Sequence, residues 1–406
     1  MKKTIALLIL FIFIICLLPA VAQSSTEFNN QGLTKFKARD YAAALIDFNK
    51  AVELDPKNEK ALHNRGLTKY SLKDYEGSIQ DHTKAIALNA GYSNAYNDRG
   101  MVYYRLNKYA EALKDYNKAI ENNPTYYQAY KNRATVQYAL KNYDAADKDY
   151  TKCIELKPDD ADGYLGRGSI LNNQQNYAEA IRFYDKAIQY EPDQVVALLN
   201  RGNARFALED VKGALADYLK VIQLQPGNSN VYFNVGVIYM KQQNSAAAIA
   251  AFRKYNAYLP NEWIGYKNTA DIYYLQLAKY DSAGYFYDKA NQINKNQKEI
   301  LERLGYSLLN QKKVPEALAV FRNQVSALPE DPWGYYNLGA AYSIGKQPAE
   351  SVKNLEIALD KRMVELPHWE SDKNLNNVRM LEDFKNLLKK YFNKDILAKY
   401  PGLFGF

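Results

Sequence analysis

A chain of 406 residues is long enough for two or three globular domains, and its formal net charge of +8 is mild for that length. Beyond its first residues no basic run exceeds a pair, which argues against a nucleic-acid partner, since that wants a concentrated basic patch. With two cysteines and three histidines, the chain has no Cys/His cluster with metal-ligand spacing, and nothing in it calls for a cofactor.

Residues 1–22 read as a secretory signal peptide. Met1-Lys2-Lys3 is a charged start, Ile5 to Leu18 is an unbroken apolar run, and Ala20-Val21-Ala22 supplies a cleavage site after Ala22. The run is 14 residues long, short of the roughly 20 that span a bilayer, although retention as an anchor stays open. Ile15 before Cys16 departs from the small residue that a lipid-attachment site carries. The mature chain then has no integral membrane span, a single cysteine at Cys153 with no internal disulfide, and 51 basic against 45 acidic residues once Lys2 and Lys3 are gone. A periplasmic or secreted location is expected.

The stretch Tyr96 to Pro124 carries the pattern that governs most of the mature chain. Tyr96, Gly100, Tyr103, Tyr109, Ala112, Leu113, Tyr116, Ala119 and Ile120 recur at threes, fours and sevens, which is helical spacing. Asn107-Lys108 breaks the stretch into two helices, and Pro124 ends the second. The same pattern returns every 34 residues. Small residues stand at Gly32, Gly66, Gly100, Ala134, Gly168, Gly202, Gly236 and Ala270, then, after one extra residue near Gln276–Lys279, at Gly305 and Gly339. A second series runs through Ala44, Ser78, Ala112, Ala146, Ala180, Ala214, Ala248, Ala283, Ala317 and Ser351, and a third through Pro56, Pro124, Pro158, Pro192, Pro226, Pro260 and Pro329. A fixed period near 34 marks a helix-turn-helix solenoid, in which each unit buries its face only against its neighbours.

Tyr96, Gly100, Tyr103, Ala112, Tyr116, Ala119 and Pro124 fill the offsets of the tetratricopeptide repeat, and the chain resembles that family over about residues 25–362. Arg99 stands where the family has Leu. The resemblance implies an all-α, right-handed superhelical α-solenoid of about ten units with a C-terminal capping region. Residues 23–260 form regular units one to seven, 261–362 divergent units eight to ten, and 363–406 capping helices and tail. The extra residue near Ala278 is expected to lengthen the turn between the helices of unit eight. In the cap, Val378, Leu381, Phe384, Leu387 and Leu388 are expected on one helical face, and Lys399 to Phe406 as a loosely ordered tail. Trp263 and Trp333 are expected at joints between units.

A further internal pattern concerns charge. Arg65, Arg99, Arg133, Arg167 and Arg201 precede the small residue of units two to six. Sixteen residues on stand Asp81, Asp115, Asp149, Phe183 and Asp217. An Arg–Asp ion pair between two helices of one unit, or of adjacent units, is expected, with Phe183 as the exception.

The resemblance also implies a concave groove lined by the first helix (A) of each unit, where partners bind. By offset from the small residue, Phe36, Tyr70, Tyr104, Tyr138, Phe206 and Tyr274 form an aromatic ladder there, with His63, Asn97 and Lys131 on the same face. Packing between units is the alternative role for those rings. Lys131 is followed by Thr135 and Asn97 by Met101, so the Lys/Asn clamp that holds chaperone C-terminal carboxylates is absent. No H-E-x-x-H, G-x-S-x-G or phosphate-loop pattern occurs. The expected function is non-catalytic: a protein- or peptide-binding scaffold of the bacterial cell envelope, with homo-oligomers possible. The rivals are a periplasmic glycan- or small-ligand-binding protein that uses the groove tyrosines, and an accessory subunit of an envelope enzyme.

Overall fold

The computed structural model describes residues 24–404, so the leader read at residues 1–22 lies outside the described residues, as do Gly405 and Phe406. The described chain is helical with short turns and no strand. It forms two compact units that divide between Leu208 and Glu209.

The first unit contains α1 (Ser25–Lys37), α2 (Tyr41–Leu54), α3 (Glu59–Ser71), α4 (Tyr75–Leu88), α5 (Ser93–Arg105), α6 (Tyr109–Asn122), α7 (Tyr127–Ala139), α8 (Tyr143–Leu156), α9 (Ala161–Asn173), α10 (Tyr177–Tyr190) and α11 (Val195–Ala207). The second contains α12 (Val211–Leu224), α13 (Ser229–Lys241), α14 (Ser245–Tyr258), α15 (Trp263–Asp271), α16 (Tyr280–Ile293), α17 (Lys298–Asn310), α18 (Val314–Ala327), α19 (Pro332–Ile344) and α20 (Pro348–Asp360), then the closing elements α21 (Leu366–Ser371), α22 (Asn376–Arg379), α23 (Glu382–Tyr391) and α24 (Lys394–Leu397). Within each unit, consecutive helices pack as hairpins, and each hairpin packs on the next.

Three residues join helix A to helix B in each hairpin, and their chemistry recurs with the period. In Leu72-Lys73-Asp74, Lys73 adopts φ 67° and the Asp74 side chain accepts from the Gly77 amide at 2.9 Å. The left-handed conformation returns at Arg39, Asn107, Lys141 and Gln175, and in the second unit at Gln243, Ala278, Lys312 and Lys346. The residue after it is an N-cap, and a side-chain acceptor there satisfies an orphan amide of helix B.

The glycine of helix A exists for one ring. A Cβ on Gly100 would lie 2.8 Å from Tyr116 Cε1, and the same holds for Gly32 against Phe48, Gly168 against Tyr184 and Gly236 against Phe252, all within 2.8 Å. The hairpin therefore closes until the helix B aromatic touches helix A backbone. Unit four breaks the rule with Ala134, and the structure shows the compensation. Gly166 on α9 sits over the Tyr150 ring, where a Cβ would be only 2.4 Å from Cε1. The space lost to the Ala134 methyl is recovered from the next unit. Gly166→Ala is therefore expected to destabilise by roughly 1–3 kcal/mol through overpacking, read as a lowered urea midpoint. Preserved stability would mean the Tyr150 ring can relax elsewhere.

The extra residue of unit eight does not lengthen the inter-helix turn. α15 passes into a π-helical turn at Ile272–Gln276, and the usual three residues then lead to α16. A single inserted residue is absorbed by one wider turn of helix, because this keeps the A–B hairpin geometry intact.

The closing region is broken into short helices, and its core is Trp369. This side chain is fully buried, with its ring 5.2 Å from Tyr336 and stacked at 6.4 Å on Phe384. Val378, Phe384, Leu387 and Leu388 join that core. Leu381 does not, since it lies in the bend before α23 and is 36% exposed. Arg379 ties the bend together by donating from Nη2 to the carbonyls of Trp369, Glu370 and Asp372 at 2.8, 2.5 and 2.8 Å. The tail is docked as far as Leu403, which is fully buried, and the Gly402 amide donates to Glu370 Oε1 at 2.8 Å. The expectation of a loose end thus fails for residues 399–403, because Leu403 completes the apolar core under α21.

Candidate functional site

The charge series resolves into a seam that fixes the A helices before it exposes any face. Arg65 on α3 donates from Nε and Nη2 to Asp81 on α4 at 2.8 and 2.7 Å, and from Nη1 to Asn49 on α2 at 3.2 Å. Arg99 repeats this with Asp115 and Thr83, and Arg133 with Asp149 and Asn117. Each guanidinium therefore clasps its own hairpin bidentately and reaches back to the preceding one, which the planar fork of Arg permits and a Lys ammonium does not. The aspartates are 1%, 3% and 4% exposed, so this is a buried seam and not a surface decoration.

The exception at Phe183 keeps the logic. Arg167 stacks over the Phe183 ring at 4.6 Å and turns back to Asp147, one helical turn earlier on α8, at 2.7 Å. In unit one, where Gln31 stands at the arginine position, Lys35 one turn later reaches Asp47 at 2.7 Å. A double-mutant cycle on Arg99 and Asp115 is expected to give a coupling energy of about 1–3 kcal/mol, above the ~0.2–1 kcal/mol of exposed pairs. Coupling near zero would contradict the seam.

With the seam buried, neighbouring A helices share the opposite face. The aromatic ladder lies on it, but Phe36, Tyr70, Tyr104, Tyr138 and Tyr274 each pack on the first aromatic of their own helix B. Phe36 meets Tyr41 at 5.3 Å, Tyr70 meets Tyr75 at 5.7 Å, Tyr104 meets Tyr109 at 5.9 Å, Tyr138 meets Tyr143 at 5.7 Å and Tyr274 meets Tyr280 at 5.4 Å. These rings and Phe206 are half-buried.

His63 and Asn97 are buried, at 6% and 2% exposure. Asn97 accepts from Asn132 on the next A helix at 3.0 Å and donates to Asp98 at 2.9 Å, so its amide joins units. His63 packs between His82 and Tyr92 at 5.2 and 5.0 Å. Burial lowers the His63 pKa to about 4 and raises that of the Asp98 carboxyl to about 6. Lys131 stays half-exposed and pairs with Asp162 at 2.6 Å.

Among the described residues, a depression opens on the A face in each unit. In the first unit, Lys131, Thr135 and Tyr138 on α7 and Asp162, Leu165 and Ser169 on α9 border a cavity of about 280 Å³. In the second, the cavity is about 610 Å³ and runs over α17 from Glu299 through Glu302, Arg303 and Tyr306 to Asn310. Tyr274, the α19 residues Trp333 and Asn337, and His368 and Asp372 from the cap also line it. Tyr306 Oη donates to Asn337 Oδ1 at 2.7 Å, and Trp333 meets His368 edge-on at 5.0 Å.

Of the nine sequence-derived residues, the first cavity brings together Lys131 and Tyr138, and the second takes Tyr274 alone. The second cavity's other walls escaped the sequence reading, because its offsets came from regular units. The spacing Glu299, Glu302, Arg303, Tyr306, Leu309, Asn310 on one helical stripe was the available signal.

Among the described residues no group of three or more His, Cys, Asp or Glu is placed to hold a metal ion. No helix of the described residues is long and apolar enough to cross a membrane. Cys153 is 1% exposed, and burial pushes its thiol up to about 12, so it stays protonated and inert.

Comparison with known proteins agrees with this architecture. One family model described as "Tetratricopeptide repeat" matches residues 93–126, 127–160 and 161–194, a second of the same description matches 28–58, and one described as "TPR repeat" matches 202–243. No curated protein sequence matches the chain. Among solved structures, a tetratricopeptide repeat protein from Parabacteroides merdae is 20% identical, with 71% of this chain and 100% of that chain covered and a TM-score of 0.47. PilF of Pseudomonas aeruginosa is 20% identical over 54% of this chain and 96% of its own, with a TM-score of 0.47. YrrB, described as a TPR protein with an unusual peptide-binding site, is 23% identical over 45% and 95%, with a TM-score of 0.39. The repeated hairpins, the glycine–aromatic contacts and the matched repeat models converge on one statement: the chain belongs to the tetratricopeptide repeat family, whose repeats form scaffolds for protein interaction.

Proposed function

We propose that the protein is an exported scaffold of the bacterial cell envelope that binds protein or peptide partners along the face of its A helices. The observation that carries this is the second-unit groove, about 610 Å³, built from successive A helices and the cap, and presenting aromatic, charged and amide groups together. Such a mixture fits an extended polypeptide, which offers backbone hydrogen bonds and side chains at once. The ladder rings pack on their helix B neighbours at 40° to 72° in place of lying flat and open, which disfavours a sugar-stacking platform. Export rests on the charged start, apolar run and Ala20-Val21-Ala22 site at residues 1–22.

The test is affinity purification of the full-length tagged protein from fractionated cells of its own source, with N-terminal sequencing of the recovered chain. The expected result is a chain beginning at Gln23 in the envelope fraction with defined protein partners in fixed ratio. A cytoplasmic chain beginning at Met1 would overturn export, and glycan as the sole companion would overturn the protein-scaffold reading.

A further inference from the structure

The second-unit groove carries unpaired charge in a specific arrangement. Carboxylates around it are neutralised within the protein: Lys267 pairs with Asp271 and Glu299 at 2.9 and 3.1 Å, and Lys298 with Asp331 at 2.7 Å. Glu302 and Asp372 make no ion pair among the described residues. Among the described residues no cation lies within 4 Å of either carboxylate; Glu302 accepts only from Gln324 Nε2 at 3.2 Å, and Asp372 from Tyr336 Oη at 2.7 Å and the Asn374 amide at 2.9 Å. Both line the same cavity, one from α17 and one from the cap. Burial raises the Glu302 pKa, while the nearby Lys298 and Arg303 charges and the Gln324 hydrogen bond act to lower it.

The walls between them are rings. Tyr306 and Trp333 come from successive A helices, and Tyr274 from the one before. Two of these rings already attract cations of the chain itself: Arg303 sits over Tyr274 at 5.1 Å and Lys298 over Trp333 at 6.0 Å. Aromatic faces beside carboxylates select an organic cation, whose apolar stem packs on the rings while its charge meets the oxygens. His368 and Asp372 from the cap line the same groove.

We propose that this part of the groove takes an ammonium or guanidinium group of a peptide, seated between Tyr306 and Trp333 and held by Glu302 and Asp372. The group comes from a Lys or Arg side chain or from a free N-terminus. This rests on the reading of the A face as the partner surface and adds the charge of what binds there. Arg303 lines the same cavity, and its positive charge opposes the incoming cation.

The test is selection of a displayed random heptapeptide library, with free N-termini, on the immobilised full-length protein, followed by calorimetry of the enriched peptides. Enriched peptides are expected to be rich in Lys or Arg or to depend on the free amine, which acetylation of the N-terminus and Lys→Gln versions separate. Glu302→Gln, which keeps the oxygen that Gln324 bonds, is expected to weaken them roughly tenfold, the scale of one charge-assisted hydrogen bond. Asp372→Asn should weaken them similarly, and Arg303→Gln should tighten them. Acidic peptides that weaken on Arg303→Gln would overturn the charge assignment while leaving the A face as the binding surface. Enriched peptides indifferent to all three substitutions, or no enrichment, would overturn the seat and the A-face reading together.

Discussion

Trp369→Ala is expected to cost about 3–5 kcal/mol, the range for removing a large aromatic from a closed core, and to strip the cap from the last repeats. The ring is fully buried between Tyr336 and Phe384, and Leu355, Leu359, Leu375, Val378 and Leu388 complete the cluster around it. Its loss opens a cavity where α19, α20 and the closing helices meet. The Arg379 clasp on the carbonyls of Trp369, Glu370 and Asp372 then loses its support. In a solenoid each unit contacts only its neighbours, so the damage stays local. Hydrogen exchange should show lost protection in α19 to α23 with α1 to α10 unchanged. Protection lost evenly along the chain would mean that the array unfolds as one body.

His82→Phe is expected to stabilise the protein by roughly 1–3 kcal/mol at neutral pH, the cost of a buried unsatisfied polar group, and to remove most of its acid sensitivity. His82 occupies the helix B ring position filled elsewhere by Phe48, Tyr116 and Phe252, and is fully buried against Gly66. Neither ring nitrogen has a hydrogen-bond partner.

Burial, then the neighbouring His63 and Arg99 charges, hold the His82 pKa well below the ordinary value. A histidine whose folded pKa is lowered contributes stability that is present above its unfolded pKa near 6.5 and is lost as pH falls through the folded value. His63, lowered to about 4, acts in the same sense between pH 6.5 and 4. Asp98 runs the other way: raised to about 6, its contribution is present below 3.8 and lost as pH rises through 6. His63 Nε2 and Asp98 Oδ2 lie 3.4 Å apart, and the two groups act in opposite directions over the same pH window. His82 is the uncompensated member. Urea midpoints should fall between pH 7 and 5 in the natural protein and stay nearly level in His82→Phe. An equal fall in both would place the acid sensitivity elsewhere.

The fold was legible because the repeat writes its packing rule many times. Gly100 facing Tyr116 is one instance, and Gly32, Gly168 and Gly236 repeat it, so the hairpin could be read from spacing alone. The Arg–Asp seam was legible for the same reason, while its second reach to Asn49, Thr83 and Asn117 was not, because neutral polar residues at that position read as ordinary helix surface. Singular solutions stayed hidden. The π turn at Ile272–Gln276 and the Gly166 space for Tyr150 are each made once, and a one-off compensation leaves no period. The groove suffered most. Offsets from regular units placed His63 and Asn97 on an open face, yet both are buried at unit joints, whereas the larger cavity is assembled from divergent repeats and the cap.

The claim that the A face is where partners bind is tested most directly by site-specific photo-cross-linking in the protein's own cells. One variant carries a photoreactive residue in place of Asn310, exposed at the second-unit groove, and the other in place of Asp288, exposed on α16. Protein adducts at position 310 and none at 288 are the predicted result. Adducts at 288 alone, or equally at both, would contradict it.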